Sequence, residues 1–442
     1  MNKNVAGPRG VGDEPDRWLV AIMGTVLQLC LGTVYAWSYF QKPIMAEFGW
    51  TNTQVMWIFC LAICFLGLAA AWGGINLSRF GPRRLAIWGG VLYGVGYLLA
   101  ALAMKMASLP LFYLAYGVIG GIGLGLGYVT PVATAARWFP DKKGLITGMV
   151  VMGFGLGALV MSKVIAPLLM DLTHNNLVQV FLYTGLALLV LGASAGSFMK
   201  NPPAGYLPAG YVPPASSAAR QAADEAMTAI DCIVSGRFMV MWLFFFANIC
   251  AGIMFIGMQS PMLQDLLKVT GKYAGMTPDA AKVALASAGA TLIAISSIFN
   301  GVGRLFWGGL SDRIGRVNTF RVILATQVLV FVALIFVKSP ILFGALVCYV
   351  LLCYGGGFGA APSTVLTVFG QRHMPVVYGT ILTAWSAGGI LGPQIAARIA
   401  DMAPDRATVY TFGVEAAILL SGVLLTFLVD DKPHHKKTSA SR

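Results

Sequence analysis

The chain has 442 residues, of which 57% are hydrophobic and only 11% are charged. Roughly a quarter of the residues in an ordinary soluble domain are charged, and single soluble cores stop growing at roughly 250–300 residues. The mean hydropathy is +0.76, and the apolar residues form runs of about 20, the length that spans a bilayer core. This composition excludes a soluble globular protein and predicts a polytopic membrane protein.

Twelve apolar runs follow one another along the chain, separated by polar loops. The predicted spans are 18–40, 54–77, 84–105, 110–135, 144–166, 178–199, 238–259, 284–310, 320–338, 340–368, 378–399 and 408–429. Runs of this length cross a membrane as α-helices, because a helix satisfies its own backbone hydrogen bonds. The predicted fold class is therefore an all-α membrane protein with twelve transmembrane helices.

The basic residues are distributed unevenly between the two sides of the membrane. The net charge is +13, but the lysines and arginines form short clusters between apolar runs, so no nucleic-acid partner is expected. Most of the 30 basic residues lie in the two termini and in the loops on the same side. Cytoplasmic loops prefer positive charge. We therefore expect a multi-pass protein of the cell inner (plasma) membrane with both termini in the cytoplasm.

The longest interruption, between spans six and seven, divides the chain in two. It begins with a Pro/Gly-rich stretch typical of a surface linker, and 218–234 has the pattern of an amphipathic helix at the membrane surface. The predicted organisation is a cytoplasmic tail at 1–17, a six-helix bundle at 18–199, a cytoplasmic linker at 200–236, a second bundle at 237–429 and a cytoplasmic tail at 430–442. The last tail is basic, and we expect it to associate with anionic lipid headgroups.

The two halves of the chain repeat short motifs at matching positions. The first motif lies between spans two and three and again between spans eight and nine; its residues are Gly74, Arg79, Gly81 and Arg83 in the first copy and Gly308, Asp312, Arg313, Gly315 and Arg316 in the second. At nearly the same offset, the run 128–134 in span four is echoed by 358–364 in span ten. Parallel six-span repeats are a transporter design in which substrate binds near the midplane between the halves.

These motifs resemble the loop signature of the major facilitator superfamily. Within it, residues 137–144 (RWFPDKKG, with Asp141) and 299–308 (FNGVGRLFWG) are similar to the oxalate/formate antiporter family, which is related to the monocarboxylate transporters. The resemblance covers all twelve spans. It implies two pseudo-symmetric six-helix bundles, alternating access, a gating role for the motif loops and Asp141, and a monomer. Ser78 stands where the first loop usually has Asp, which weakens the gating ion pair expected in that half.

Arg304 is the most informative position for function. It lies eight residues before Asp312, which marks the end of span eight, so at about 1.5 Å per residue its Cα lies roughly 12 Å inside a core about 30 Å thick. A cation at that depth normally faces a cavity and has an anionic partner. A substrate carboxylate would provide one through bidentate geometry; the alternative is an arginine that snorkels to the interface. In the related transporters the matching arginine binds the substrate carboxylate.

Two further positions bear on the expected substrate. Asn300 lies one helical turn before Arg304 on the same face, where it would orient the guanidinium, hydrogen-bond the substrate or join two helices. In the oxalate transporter of the family, a lysine occupies the position of Trp385. A divalent anion beside a single fixed cation would keep about one uncompensated charge in a low-dielectric site. Oxalate is therefore disfavoured, with ordinary packing or an interface belt as the other interpretations of Trp385.

The resemblance also assigns an aromatic lining to the site. The positions that match the family's pocket-forming aromatics are Tyr35, Tyr128, Phe154, Tyr354 and Phe358. Two of them differ from the oxalate transporter, which has Tyr at the position of Phe154 and Trp at the position of Tyr354, and this indicates a different pocket. A tyrosine hydroxyl donates to a carboxylate while its ring excludes water, although each residue alone is equally typical of packing.

The sequence has no evident proton relay. Glu415 lies well inside an apolar run, whereas the histidines lie in loops or tails. We interpret Glu415 as a structural hydrogen-bonding group, with a proton-carrying role as the alternative. The seven cysteines have no CxxC pair, so neither a metal site nor a cofactor is expected.

These features predict a secondary transporter of small monocarboxylates such as lactate, pyruvate, formate or acetate, with proton symport implied by the resemblance. The alternative is an anion antiporter of the oxalate/formate type. A carboxylate sensor is disfavoured because no signalling domain is present, and an enzyme because the spans contain no HExxH, Ser/His pair or carboxylate dyad. The expected partners are a small carboxylate anion, a proton and membrane lipid.

Overall fold

The protein is helical throughout the part that a computed structural model describes, residues 16–203, 205–208, 210–211 and 228–432. Its long helices are α1 (Arg17–Phe48), α2 (Asn52–Phe80), α3 (Pro82–Lys105), α4 (Leu109–Trp138), α5 (Leu145–Leu172), α6 (Leu177–Ser197), α7 (Gly236–Val269), α8 (Pro278–Ile314), α9 (Arg316–Leu334), α10 (Pro340–Gly370), α11 (Thr383–Met402) and α12 (Pro404–Thr426). This confirms the predicted all-α fold. The predicted tails and amphipathic helix lie outside the described residues for most of their length, as does about half of the predicted linker; a short helix, Ala229–Ile233, precedes α7.

Eleven of these helices are long and apolar enough to cross a membrane, so the chain is a multi-pass membrane protein. The remaining one, α11, has 20 residues, buries the polar side chains of Ser386 and Gln394, and packs against α2 and α7. The chain turns at Gly370, continues as a helix to Ile381 and, after Leu382, enters α11. The predicted span 378–399 therefore lies in helical backbone, and the helical stretch starts earlier than the apolar run.

Several helices extend beyond the apolar runs because capping residues add polar turns. The Thr51 side chain accepts a hydrogen bond from the Gln54 backbone N–H, and the Gln54 side chain accepts one from the Thr51 backbone N–H, which forms a capping box at the start of α2. Thr277 caps α8, and Pro278 occupies the first turn, where its missing N–H has no helical partner to lose. As a result, α8 starts six residues before the predicted span, at Pro278 rather than 284.

The two repeated loops have the same backbone geometry. Gly81, between α2 and α3, has φ 75° and ψ 156°, and Gly315, between α8 and α9, has φ 93° and ψ 152°. This region of the backbone map is essentially restricted to glycine. The motif glycines therefore make the same sharp turn in the two halves of the chain, as the sequence repeat indicates.

The six-helix bundles α1–α6 and α7–α12 meet along a long interface. In it α2 packs along α11, α5 along α8 and α1 along α7. At the side opposite the termini, Lys42 Nζ lies 2.5 Å from Asp265 Oδ1, and the Thr53 backbone N–H donates to Asp401 Oδ2 at 2.8 Å. Both contacts join one bundle to the other, so this end of the interface is closed in the structure.

The turn geometry gives a first prediction. Gly81→Ala should lower the free energy of unfolding by about 1–3 kcal/mol, because alanine is strained at this φ and ψ; a Cβ there would meet no atom within 4 Å, so strain is the only expected cost. Gly309→Ala is the control, since that helical glycine is also surrounded by open space and should be neutral or slightly stabilising. Thermal unfolding of purified protein in detergent compares them. Equal thermal unfolding midpoints for Gly81→Ala and Gly309→Ala would contradict the prediction.

Candidate functional site

Arg304 is buried at the interface between the bundles, with 2% of its surface exposed. Its Nη1 lies 3.5 Å from the Tyr128 hydroxyl, and its Cζ lies 5.3 Å from the ring centroid of Phe358. The Nε and Nη2 atoms have no hydrogen-bond partner, and none of the ion pairs among the described residues includes Arg304. Burying such a cation is costly. It is not a snorkelling arginine, and its free donors suit an anion.

Close helix packing holds the guanidinium in place. A Cβ on Gly359 of α10 would lie 2.2 Å from the Arg304 carbonyl oxygen, and a Cβ on Gly303 of α8 would lie 2.1 Å from that of Leu352. Only glycine permits backbones to approach this closely. The adjacent Phe358 is thereby brought against Arg304, where its ring face stabilises the positive charge.

The six predicted aromatic residues form one cluster, which we call the aromatic cage: Tyr35, Tyr128 and Phe154 from the first bundle, and Tyr354, Phe358 and Trp385 from the second. All six are buried. Ring centroids lie 4.9 Å apart for Tyr35 and Phe154, 5.0 Å for Tyr128 and Trp385, and 4.6 Å for Phe358 and Trp385. The edge-to-face geometry of these pairs is the favoured one for aromatic rings. The cage thus separates the Arg304 site from water.

A hydrogen bond between two tyrosine hydroxyls joins the two bundles inside the cage, in addition to the contact of Arg304 with Tyr128. The hydroxyls of Tyr35 and Tyr354 lie 2.6 Å apart. Tyr35 belongs to a 3₁₀ segment, Thr33–Ala36, that interrupts α1, and such segments inside longer helices often mark functional hinges. Any movement that separates the bundles here must break this bond.

Trp385 lies in the cage and is fully buried. It contacts Phe358, which faces Arg304, and Tyr128, which also contacts Arg304. An interface-belt residue would be partly exposed, so that interpretation is wrong. All six cage residues are aromatic, and the fixed cation that contacts them is Arg304.

Asn300 is buried close to Arg304 but does not orient it. Its Oδ1 has no hydrogen-bond partner among the described residues. It borders a small cavity between the bundles that is also lined by Tyr35, Gln259 and Ser296. The Ser296 hydroxyl donates to Gln259 Oε1 at 2.8 Å. Asn300 therefore neither orients the guanidinium nor joins two helices through Oδ1. Of the three expected roles, hydrogen bonding to a bound ligand is compatible with this position.

Tyr378 is a neighbour of the site that sequence reasoning missed. It is buried and close enough to Tyr128 and Arg304 to interact with both electrostatically. It lies seven residues before Trp385, a spacing of two helical turns that places residues on one face. This spacing could have identified Tyr378 from the sequence, although Leu382 separates the helical segments that carry the two residues.

The motif-loop residues lie outside the cage. Asp312 forms an ion pair with Arg316, while Asp141 pairs with Arg17 at 3.2 Å and so joins α1 to the α4–α5 loop. The other motif residues are four glycines, Gly74, Gly81, Gly308 and Gly315, and three cations, Arg79, Arg83 and Arg313, which form no ion pair among the described residues. The half with Ser78 therefore lacks the pair that Asp312 forms in the other half, as predicted from the substitution.

Glu415 does not make the structural hydrogen bond that its sequence context suggested. It is fully buried in α12, and both carboxyl oxygens lack a partner among the described residues. It interacts electrostatically with Cys250 of α7.

Comparison with known proteins agrees with this architecture. A model of the Major Facilitator Superfamily matches residues 21–393. The chain is 26% identical to the oxalate:formate antiporter of Oxalobacter formigenes over 96% of this chain and 92% of that protein. It is 27% identical to apicoplast pyruvate carrier 1 of Toxoplasma gondii over 87% of this chain and 84% of that protein.

Solved structures show the same fold. A bacterial homologue of the human lysosomal transporter Spinster, inward-facing and unoccupied, aligns with a TM-score of 0.65 over 94% of this chain and 97% of that chain, at 16% identity. Two helical bundles that enclose a buried cationic site at their interface define a polytopic membrane transporter. The chain belongs to the Major Facilitator Superfamily.

The hydroxyl pair gives a second prediction. Tyr35→Phe and Tyr354→Phe should each weaken the contact between the bundles, and the double variant should lose little more than either alone, because both remove the same hydrogen bond. A double-mutant cycle on unfolding in detergent should give a coupling of about 1 kcal/mol. Tyr93→Phe, combined with Tyr354→Phe, is the control, because Tyr93 bonds Thr33 within its own bundle. Additive effects of the first pair would contradict the assignment.

Proposed function

We propose that this protein is a secondary transporter of small monocarboxylates of the lactate, pyruvate, formate or acetate type. The observation that carries the proposal is the buried Arg304 guanidinium, whose Nε and Nη2 lack partners inside an aromatic cage. A carboxylate fits two guanidinium donors in a bidentate arrangement. It also supplies the negative charge that the surrounding described residues do not.

The charge of the site favours a monoanion. One guanidinium balances one carboxylate, and the remaining wall is formed by neutral aromatic rings. A second carboxylate would be buried beside Trp385 without a cation, and an unpaired ion in a low-dielectric site is costly. Two relatives that align with most of this chain are named as carriers of oxalate and formate and of pyruvate, which supports small carboxylic acids as the substrate class.

Transport would follow alternating access, with rocking of the two bundles around a central site. Release on the side opposite the termini requires the Lys42–Asp265 contact to open. The Tyr35–Tyr354 bond must break whenever the cage opens. We further propose that both termini are cytoplasmic and that the protein resides in the inner (plasma) membrane as a monomer, with the basic tail near anionic lipid.

Proton symport is the preferred coupling, with the proton shared between substrate and water near Arg304. Anion exchange is the second candidate, and a specific observation favours it. Among the described residues, no carboxyl or imidazole group forms a hydrogen bond or an ion pair with Arg304 or a cage side chain, so none is placed there to carry a proton near neutral pH. An exchanger needs no such group, because one anion replaces another on Arg304.

Replacing the guanidinium tests the site. Arg304→Gln should lower carboxylate uptake by about 100-fold or more, because removing one partner of a buried, hydrogen-bonded charge pair typically costs 2–5 kcal/mol. Arg321→Gln is the matched control, since Arg321 also lies over a phenylalanine ring, at 4.2 Å from Phe427, but outside the cage. Uptake of radiolabelled pyruvate into proteoliposomes measures both. Near-normal uptake by Arg304→Gln would overturn the proposed site.

The mode of coupling is tested in the same vesicles. If transport is proton symport, an inward proton gradient should drive accumulation of labelled lactate into vesicles that contain no internal anion. If transport is exchange, uptake should require preloaded formate or oxalate and should not respond to the gradient. Vesicles that fail to accumulate lactate or any other short monocarboxylate under both conditions would contradict the proposed function.

A further inference from the structure

The Trp385 indole carries a hydrogen-bond donor that the protein leaves unused. The residue is fully buried, and its Nε1–H has no partner among the described residues. The Tyr354 hydroxyl is near enough to interact with the indole N–H but lies outside hydrogen-bonding geometry. A buried donor without a partner is unfavourable, and this one lies in the aromatic cage, where a bound molecule would meet it.

The position of this donor relates it to Arg304. Trp385 packs against Phe358 and Tyr128 with centroid distances of 4.6 and 5.0 Å. Those same two residues contact the guanidinium. The charged donors of Arg304 and the neutral donor of Trp385 therefore belong to residues that border the same two side chains, Phe358 and Tyr128. A small molecule with two polar groups that binds against these two side chains would lie beside both donors.

We propose that the Trp385 indole N–H donates to the oxygen on C2 of a 2-oxo or 2-hydroxy monocarboxylate whose carboxylate binds Arg304. This rests on the proposed function and narrows its substrate class. A neutral N–H pairs well with a neutral carbonyl or hydroxyl oxygen but compensates a second carboxylate poorly. An acid without an oxygen on C2 leaves the N–H buried and unpaired, and sites built to hydrogen-bond a substrate oxygen discriminate against such analogues.

Two other tryptophans serve as comparisons. Trp37 and Trp307 also have buried indole N–H groups without partners among the described residues. Trp37 packs against Phe59, Phe112 and Tyr116 in the first bundle, and Trp307 belongs to a separate cluster with Ile323 and Cys353. Neither lies in the cage, so replacing one of them removes the same chemical group without touching the site.

Three acids that differ only at C2 test the proposal: pyruvate, lactate and propionate. In proteoliposomes, unlabelled acids compete with labelled pyruvate, and half-inhibiting concentrations are compared. The wild type should prefer pyruvate and lactate over propionate. Trp385→Phe keeps a ring but lacks the donor. It should raise the half-inhibiting concentrations of pyruvate and lactate by about 3- to 10-fold relative to that of propionate. Trp37→Phe should leave the ratios unchanged.

The outcomes separate this inference from the proposed function. If wild type takes up labelled pyruvate but binds propionate equally well, or if Trp385→Phe weakens all three acids by one factor, the donor role is wrong and the transporter assignment stands. If Trp385→Phe is inactive, the wild-type preference for pyruvate and lactate over propionate is the test: its presence supports the donor role and its absence contradicts it. If wild type takes up none of the three labelled acids and also fails with formate, the proposed function fails, and the inference with it.

Discussion

A single buried positive charge imposes the main constraint on this structure. The guanidinium of Arg304 is removed from water between the two bundles without a carboxylate from the described chain to neutralise it. The surroundings reduce the cost without removing it, because the Phe358 ring face and the Tyr128 hydroxyl provide partial negative charge only. The glycine contacts that bring α8 against α10, the aromatic cage and the closed interface are all consistent with a site in which the missing charge arrives with a ligand.

The sequence was sufficient for the fold and for the identity of the central residues, for reasons that are local. A bilayer requires runs of about 20 apolar residues, so the composition of the chain nearly determines the number of helices. A cation deep within such a run is equally conspicuous. The cage aromatics came from resemblance, since nothing in the periodicity of Tyr35 or Tyr354 distinguishes them from packing residues.

What the sequence did not provide depends on contacts between distant segments. The Tyr35–Tyr354 hydroxyl pair joins residues in different bundles, and its geometry is set by how those bundles pack. The sharp turn at Gly370 was not located either, because the backbone is helical again from there to Ile381, while hydropathy left all of 369–377 between two spans. The absent hydrogen bond of Glu415 could not be anticipated either, because a partner exists only if a neighbouring helix presents one.

The two halves have the same backbone geometry at their repeated turns, but the turn of the second half has an additional contact with the end of the chain's last helix. In the second half, Asp431, which follows α12, accepts hydrogen bonds from the backbone N–H groups of Arg316 and Val317, at 3.0 and 2.8 Å. It thereby caps the start of α9 beside the turn at Gly315. The last helix is in this way fastened to the α8–α9 corner, on the same helix that carries Arg304. Sliding of α12 against α9 is restrained at that corner, so these two helices are expected to move together when the bundles move.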